Sequence, residues 1–264
     1  MSAPRVEREP VELPLLGGAL GEVWDTIGAL AHRLDVPWTI VGGQMVLLHG
    51  LEHDETPPRV STDVDAAVDV RADRAAIGRL VFTLTSQLGF ESAGVSPEGR
   101  AYRFHRRVGS ATASLDLMAV ERDPVQVDVL APEGLGERAD LRTVGAATAF
   151  PTPGVTQALA RTELVPVRFR AGVEHVPRPN LLGGIVGKAT ASIVDHVDQD
   201  RHRADLAFLC GLVADPLTMR EEITRKDRQR LTSARRAFPD GHLAWAAANV
   251  PGDARGALDI LITV

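Results

Sequence analysis

Residues 40–70 read IVGGQMVLLHGLEHDETPPRVSTDVDAAVDV, and most of the expected architecture follows from them. A short apolar strand ends at Gly42 and Gly43, which open a short helix. A loop with two prolines follows, and TDVDAAVDV then predicts a second strand. Side chains at positions i and i+2 of a strand share one face, so we expect Asp63 and Asp65 to lie side by side.

The composition is that of an ordinary globular protein: 264 residues, of which 44% are hydrophobic and 24% are charged. No apolar run reaches the roughly 18 residues that a membrane-spanning helix needs, so we expect no membrane partner. The N-terminus is polar and lacks the apolar core of a signal peptide. The single cysteine, Cys210, excludes an internal disulfide and is expected in the core. We therefore expect a cytoplasmic protein.

The charge is unevenly distributed along the chain. A net charge of −6 excludes a globally basic surface for nucleic acid. Residues 201–236 differ, because they hold nine basic and five acidic side chains. Such a face is compatible with docking a phosphate backbone, and equally with a solvated helix surface. Only Lys188 and Lys226 are lysines, which singles out Lys188 as a position where a compact ammonium group is needed.

The pattern of the chain changes near residues 172–180. Before this region strand-like segments alternate with helical ones, including an amphipathic helix over 20–35. After it the remaining segments all read as helices. We therefore predict an α/β (α+β) fold, with a mixed sheet flanked by helices over residues 1–175 and an all-helical domain over 176–264.

Two carboxylates on a partly buried strand repel each other and lose hydration, which a bound cation would offset. Oxygen ligands without nearby histidine or cysteine favour Mg²⁺ or Mn²⁺. We expect a third carboxylate from a neighbouring strand and choose Asp128 in VQVDVLAP; Asp116 in ASLDLMAV is the competitor. Three such acids can hold two metal ions on a nucleotide phosphate. The alternative for Asp63 and Asp65 is a capped edge strand.

Gly42 and Gly43 supply the second half of the expected site. Without Cβ atoms the backbone can approach an anion closely, and a helix N-terminus offers free N–H groups and partial positive charge. Ser61 and Thr62 add hydroxyl groups just before the acids. The sequence therefore predicts a triphosphate seat beside a metal site, with an NTP as substrate.

These parts, VGG, STDVD and VDVL, resemble the nucleotidyltransferase superfamily. Its pattern is Gly-Gly or Gly-Ser, then Asp-x-Asp on a strand, then a third Asp on another strand. The interval from Gly43 to Asp63 is longer than in most members, which places an extra loop (51–60) over the site. That loop, STDVD, DVLAP and the helical GKATA…RHRADLAFL look like the AbiEii-type toxins, especially the MenT group, over about residues 36–213.

The resemblance implies a nucleotidyltransferase-like sheet and a helical domain that completes the active site. The catalytic residues that it implies are Asp63, Asp65, Asp128, Lys188 and Asp205, the first three as metal ligands. The nucleotide-holding residues that it implies are Gly42, Gly43, Ser61, Thr62 and Lys188. It also implies transfer of NMP from an NTP to a tRNA 3′ end and a cognate antitoxin, which in some members silences the enzyme by phosphorylating the serine at the position of Ser61.

Several alternatives stay open at this point. Lys188 would otherwise extend from an amphipathic helix into solvent, and Asp205 would otherwise pair with Arg201 one turn earlier. Asp200 competes with Asp205 for its role. His202 is expected at the surface or in a helix cap rather than on a metal.

The function also has alternatives. The same metal site would serve a small antibiotic or a protein hydroxyl as acceptor. A nucleotide-binding regulator without turnover belongs to another class, and its biological effect would survive the Asp63→Ala substitution.

Overall fold

The computed structural model of the protein describes residues 3–14, 16–107, 124–136, 138–246 and 250–263. The α-helices in these residues are α1 Gly18–Arg33, α2 Gly42–Glu52, α3 Ala76–Phe82, α4 Val155–Ala160, α5 Leu181–Val194, α6 Gln199–Gly211, α7 Pro216–Glu221, α8 Arg225–Ala237 and α9 Ala254–Ile262. The strands are β1 Val11–Glu12, β2 Trp38–Val41, β3 Asp63–Val68, β4 Glu91–Ser92, β5 Arg103–Arg106, β6 Val125–Pro132, β7 Arg142–Val144, β8 Ala147–Thr148, β9 Phe150–Thr152, β10 Thr162–Phe169 and β11 Gly172–Pro179. The predicted strand ASLDLMAV and the competitor Asp116 lie outside the described residues.

The main sheet has the strand order β2-β3-β6-β5-β4, and β9 pairs with the C-terminal part of β6. Strand β3 is antiparallel to β2 and parallel to β6, while β5 is antiparallel to β6. The sheet is therefore mixed, as expected. Because β3 lies between two other strands, the alternative of a capped edge strand for its two acids is wrong.

A second sheet has the order β1-β10-β11. Strand β11 was not predicted, because Pro177 and Pro179 and its charged residues make GVEHVPRP read as a connection. It pairs with β10 in antiparallel register along its whole length. The helical part begins only at Leu181, where the side chain of Asn180 caps α5 by accepting a hydrogen bond from the Gly183 amide. The division at residue 175 stays a prediction.

One hydrophobic core extends from Val11 to Leu261 and includes residues of the sheet and of the C-terminal helices. Helix α5 packs against α6, α8 and α2, which brings the helical part onto the sheet next to the β2–α2 turn. Cys210 is fully buried, as predicted. Across the described ranges, every helix is too short or too polar to cross a bilayer.

Candidate active site

The turn between β2 and α2 fits closely around the strand beside it. Gly42 has a φ of +66°, a left-handed conformation, and a Cβ atom placed there would overlap Oδ2 of Asp65. A Cβ atom on Gly43 would overlap the Cβ of Ser61. Both positions therefore require glycine, one of them for two reasons. No side chain caps the N-terminus of α2 at Val41. This N-terminus lies directly against Asp65.

Strand β3 brings the two predicted acids to this turn. Asp65 pairs in register with Asp128 on the parallel strand β6, so their carboxylates are neighbours across the sheet. Asp63 lies two residues earlier on the same face of β3. Ser61 donates a hydrogen bond from Oγ to Oδ1 of Asp63. The three predicted acids thus lie on two adjacent, paired strands beside the glycine turn.

The three carboxylates affect one another electrostatically. Burial raises the pKa of Asp65 to about 7, and the negative charges of Asp63 and Asp128 add to this rise. The positive charges of Lys188 and Arg201 oppose the rise without cancelling it. Burial also raises the pKa of Asp128. The protein therefore leaves part of this negative charge uncompensated.

The donor set suits a hard divalent cation. Carboxylate oxygens of Asp63 and Asp65 are ligands that Mg²⁺ and Mn²⁺ prefer, and a cation would relieve the repulsion at Asp65. The set is not preassembled, since no three His, Cys, Asp or Glu side chains in the described part of the chain are grouped closely enough to hold a metal ion. Asp128 is bound to Arg103 instead, and it would become a third ligand by giving up part of that ion pair.

Arg103 of β5 binds Asp128 through two nitrogen atoms of its guanidinium group. Its Nε donates to Oδ1 at 3.1 Å and its Nη2 donates to Oδ2 at 2.9 Å. Gln126 adds a hydrogen bond to Oδ1 at 3.2 Å. The pair follows from the strand register, because Arg103 lies opposite Asp128 in the antiparallel β5–β6 ladder. It fixes the orientation of the third carboxylate.

A fully buried carboxylate joins two cations on the other side of the site. The Nζ of Lys188 lies 2.6 Å from Oδ2 of Asp205, and Arg59 donates from Nη2 to the same oxygen at 2.7 Å. Burial alone would raise the pKa of Asp205, but the charges of Lys188 and Arg59 hold it below its ordinary value. The group therefore carries two positive charges and one negative charge.

These contacts decide between the alternatives that the sequence left open. The side chain of Lys188 is 4% exposed and does not extend into solvent. Asp205 pairs with Lys188 and Arg59, whereas Arg201 lies 3.4 Å from Asp198. His202 is not at the surface or in a helix cap, as was expected, because it is buried and its Nε2 lies 2.9 Å from Oδ2 of Asp195.

Small residues let the helical part approach the turn. A Cβ atom on Gly184 of α5 would lie 3.0 Å from Sδ of Met45 and 3.5 Å from Nε2 of His49, both on α2. Lys188 follows Gly184 by one helical turn and therefore lies on the same face of α5. The close packing of α5 on α2 thus positions Lys188 at the site.

A cleft of about 680 Å³ lies between the sheet and the C-terminal helices. Its volume is within the range of small-molecule sites, roughly 300–1,000 Å³. Among the predicted residues, those that line it are Gly42, Asp65, Asp128 and Lys188. The predicted residues that do not line it are Gly43, Ser61, Thr62, Asp63 and Asp205. Of these, Thr62 is exposed. Gly43 lies against Ser61, Ser61 donates a hydrogen bond to Asp63, and Asp205 pairs with Lys188.

Sequence reasoning missed four residues of this region. Arg59 lies in the predicted extra loop, and Arg103 lies in the predicted strand YRFHRRV, but neither had a local signal that named its partner. Tyr102 and Phe150 also line the cleft. The sequence offered one signal for Tyr102 and Phe150: aromatic residues make up only 4% of the chain, so each one is a candidate for a specific role.

Comparison with known proteins supports the fold assignment. No protein-family model matches this sequence, and no curated protein sequence matches it either. Among solved structures, the chain is similar to an antigenic nucleotidyltransferase-like protein from Paracoccidioides brasiliensis. The TM-score is 0.50 and the identity 15%, with 90% of this chain and 98% of that chain covered. This chain therefore has the fold of a nucleotidyltransferase-like protein.

Proposed function

We propose that the protein is a metal-dependent nucleotidyltransferase that transfers NMP from an NTP to an acceptor hydroxyl. In this reaction the acceptor oxygen bonds to the α-phosphorus, the α–β phosphoanhydride bond breaks, and pyrophosphate leaves. The observation that carries the proposal is the pairing of Asp65 with Asp128 at the glycine turn that opens α2. Acids and a helix N-terminus in contact are suited to a metal-bound phosphate.

Each group has a distinct role in the proposed reaction. Asp63 and Asp65 would hold the cation, which would supply positive charge against the triphosphate and the reacting phosphorus. The N-terminus of α2 and Lys188 bind the β- and γ-phosphates and stabilise the departing pyrophosphate. Asp205 pairs with Lys188 and orients its ammonium group. A carboxylate oxygen of Asp128 accepts the proton of the acceptor hydroxyl.

The proposed acceptor is the 3′ end of a tRNA. Support comes from the resemblance of STDVD, DVLAP and the helical segment to AbiEii-type toxins, and from the basic residues within 201–236. Added nucleotides would block aminoacylation and stop growth, so the protein would act as the toxin of a toxin–antitoxin pair.

Labelled transfer tests this proposal directly. Purified protein is incubated with each α-³²P-labelled NTP, Mg²⁺ and total RNA, and the label is followed by gel electrophoresis. We expect Mg²⁺-dependent label in tRNA that is lost in Asp63→Ala and kept in Glu91→Ala, an exposed acid on the edge strand β4. Label in protein or in a small molecule would show that the acceptor is not tRNA. NTP binding without any transfer would overturn the transferase assignment.

Expression in cells tests the toxin role separately. We expect induction of the wild-type protein to arrest growth and induction of Asp63→Ala to permit growth, because arrest requires catalysis. Arrest by the Asp63→Ala protein would favour the regulator without turnover.

A further inference from the structure

Two aromatic side chains form one wall of the cleft. Tyr102, just before β5, and Phe150, which opens β9, have ring centroids 4.9 Å apart and planes tilted by 51°. Both rings line the cleft and both are half-buried. Tyr102 is the sole tyrosine among 264 residues. We call this pair the aromatic wall.

Arginine side chains flank the aromatic wall on both sides. The Cζ of Arg100 lies 4.9 Å from the centroid of the Phe150 ring, and the Cζ of Arg103 lies 5.5 Å from that of Tyr102. Aromatic rings flanked by guanidinium groups form the kind of surface on which unpaired nucleobases stack.

The strand register places the aromatic wall next to Asp128. Phe150 pairs with Leu130, which lies two residues beyond Asp128 on the same face of β6, about 7 Å away. Tyr102 accepts a backbone hydrogen bond from Val129 at 2.7 Å. The aromatic wall therefore adjoins the third acid of the site.

The opposite side of the site is made of phosphate-binding groups. The N-terminus of α2 contacts Asp65 through Gly42, and Lys188 lines the same cleft from α5. In phosphoryl transfer the attacking and leaving oxygens lie roughly in line. If pyrophosphate leaves toward α2 and Lys188, the acceptor approaches from the side of Asp128, where the aromatic wall lies.

We propose that the aromatic wall stacks the unpaired terminal nucleobase of a nucleic-acid acceptor and so directs its 3′ hydroxyl toward Asp128. This inference rests on the proposed nucleotidyltransferase function and deepens it. Under this inference the acceptor is a single-stranded nucleic-acid end, whose terminal base stacks on the aromatic wall.

A fluorescent base tests the stacking without catalysis. A single-stranded oligonucleotide with 2-aminopurine at its 3′ end is titrated with the protein in the absence of NTP. We expect quenching by the wild type and by Tyr102→Phe, and at least about tenfold weaker binding with loss of quenching in Tyr102→Leu and Phe150→Leu. The leucine variants keep apolar bulk but remove the flat ring. Phe82→Leu, which changes an exposed ring outside the cleft, is the matched control.

Kinetics separate this inference from the function on which it rests. We expect the leucine variants to raise the KM for RNA about tenfold and to leave the KM for NTP unchanged. A rise in the KM for NTP alone would assign the aromatic wall to the incoming base and overturn the inference. Transfer with unchanged KM for RNA and unchanged quenching would also overturn it while the proposed function stands. Wild-type quenching without transfer would overturn the function alone.

Discussion

At the scale of single residues, two glycines determine how closely the β2–α2 turn approaches the acids of the site. Gly42 combines a left-handed backbone with a position where a Cβ atom would overlap the Asp65 carboxylate. At Gly43 a Cβ atom would overlap the side chain of Ser61 in the same way. Any side chain here would push β3 away from α2, and the acids would leave the helix N-terminus.

We expect Gly42→Ala to destabilise the protein and to abolish NTP binding. The left-handed conformation alone costs an alanine about 1 kcal/mol or more, and the overlap with Asp65 adds to this. Gly78→Ala is the matched control, because its Cβ atom would lie in open space within α3. The control should be stabilised by about 0.5–1 kcal/mol. Urea unfolding and calorimetric NTP titration measure both effects. Full NTP binding by Gly42→Ala would contradict the proposed phosphate seat.

Three elements meet through one buried carboxylate. Asp205 of α6 bonds to Lys188 of α5 and to Arg59 in the loop between α2 and β3. The same loop continues to Ser61 and Asp63 at the start of β3. Because Asp205 is completely buried, its two ion pairs tie the loop and both helices into one arrangement.

We expect Asp205→Asn to lower the free energy of unfolding at pH 7 by about 3–5 kcal/mol, because it leaves the buried Lys188 and the partly exposed Arg59 without their anion. The folded-state pKa of Asp205 is lowered, so its contribution is present above the unfolded value of 3.8 and lost as the pH falls through the folded value. The two proteins should therefore differ equally at pH 5 and pH 7, and their difference should begin to shrink as the pH falls below the unfolded value of 3.8.

Urea unfolding at pH 3, 5 and 7 measures this difference. Asp200→Asn, which changes an exposed acid of the same helix, should alter the stability by about 0.5 kcal/mol or less. A difference that persists undiminished at pH 3 would show that the ionised form of Asp205 is not what stabilises the fold.

The distribution of charge concerns the whole molecule. Part of the predicted basic surface is neutralised, since Arg203 pairs with Asp200 and Arg235 pairs with Asp240. The exposed basic residues of α8 are Arg225, Lys226 and Arg236. Helix α8 packs against α5, the helix that carries Lys188. Under the proposed function, we propose that this surface holds the RNA backbone while the RNA end occupies the cleft.

We expect the triple substitution Arg225→Glu, Lys226→Glu and Arg236→Glu to weaken RNA binding and to leave NTP binding unchanged. The salt dependence of RNA binding should also fall, by about one unit of slope for each RNA phosphate that the variant no longer neutralises. Filter binding across a range of KCl concentrations measures both quantities.

The control reverses three exposed arginines elsewhere, Arg142, Arg168 and Arg170, so that net charge changes equally. Equal weakening by both triple variants would mean that only net charge matters and that α8 is no specific surface.

The elements of the fold were predictable where the pattern is local. The segments TDVDAAVDV and VQVDVLAP predicted β3 and β6, and both strands form at those positions. Strand β11 was missed because proline is unfavourable within strands, and only its pairing with β10 identifies it as a strand. Pairing of this kind depends on a partner strand, which no short window of sequence contains.

The sequence by itself determined the glycine turn and the shared face of Asp63 and Asp65, because each depends on backbone preferences over a few residues. For the third acid it offered two candidates, Asp128 and Asp116. Only the tertiary structure decided which charges and rings meet. Arg59 reaches Asp205 across 146 positions and Arg103 reaches Asp128 across 25. With 29 basic and 35 acidic side chains, the chain offers many possible ion pairs. Strand register and helix packing select among them, since a buried charge is stable only beside a partner that the whole fold holds in place.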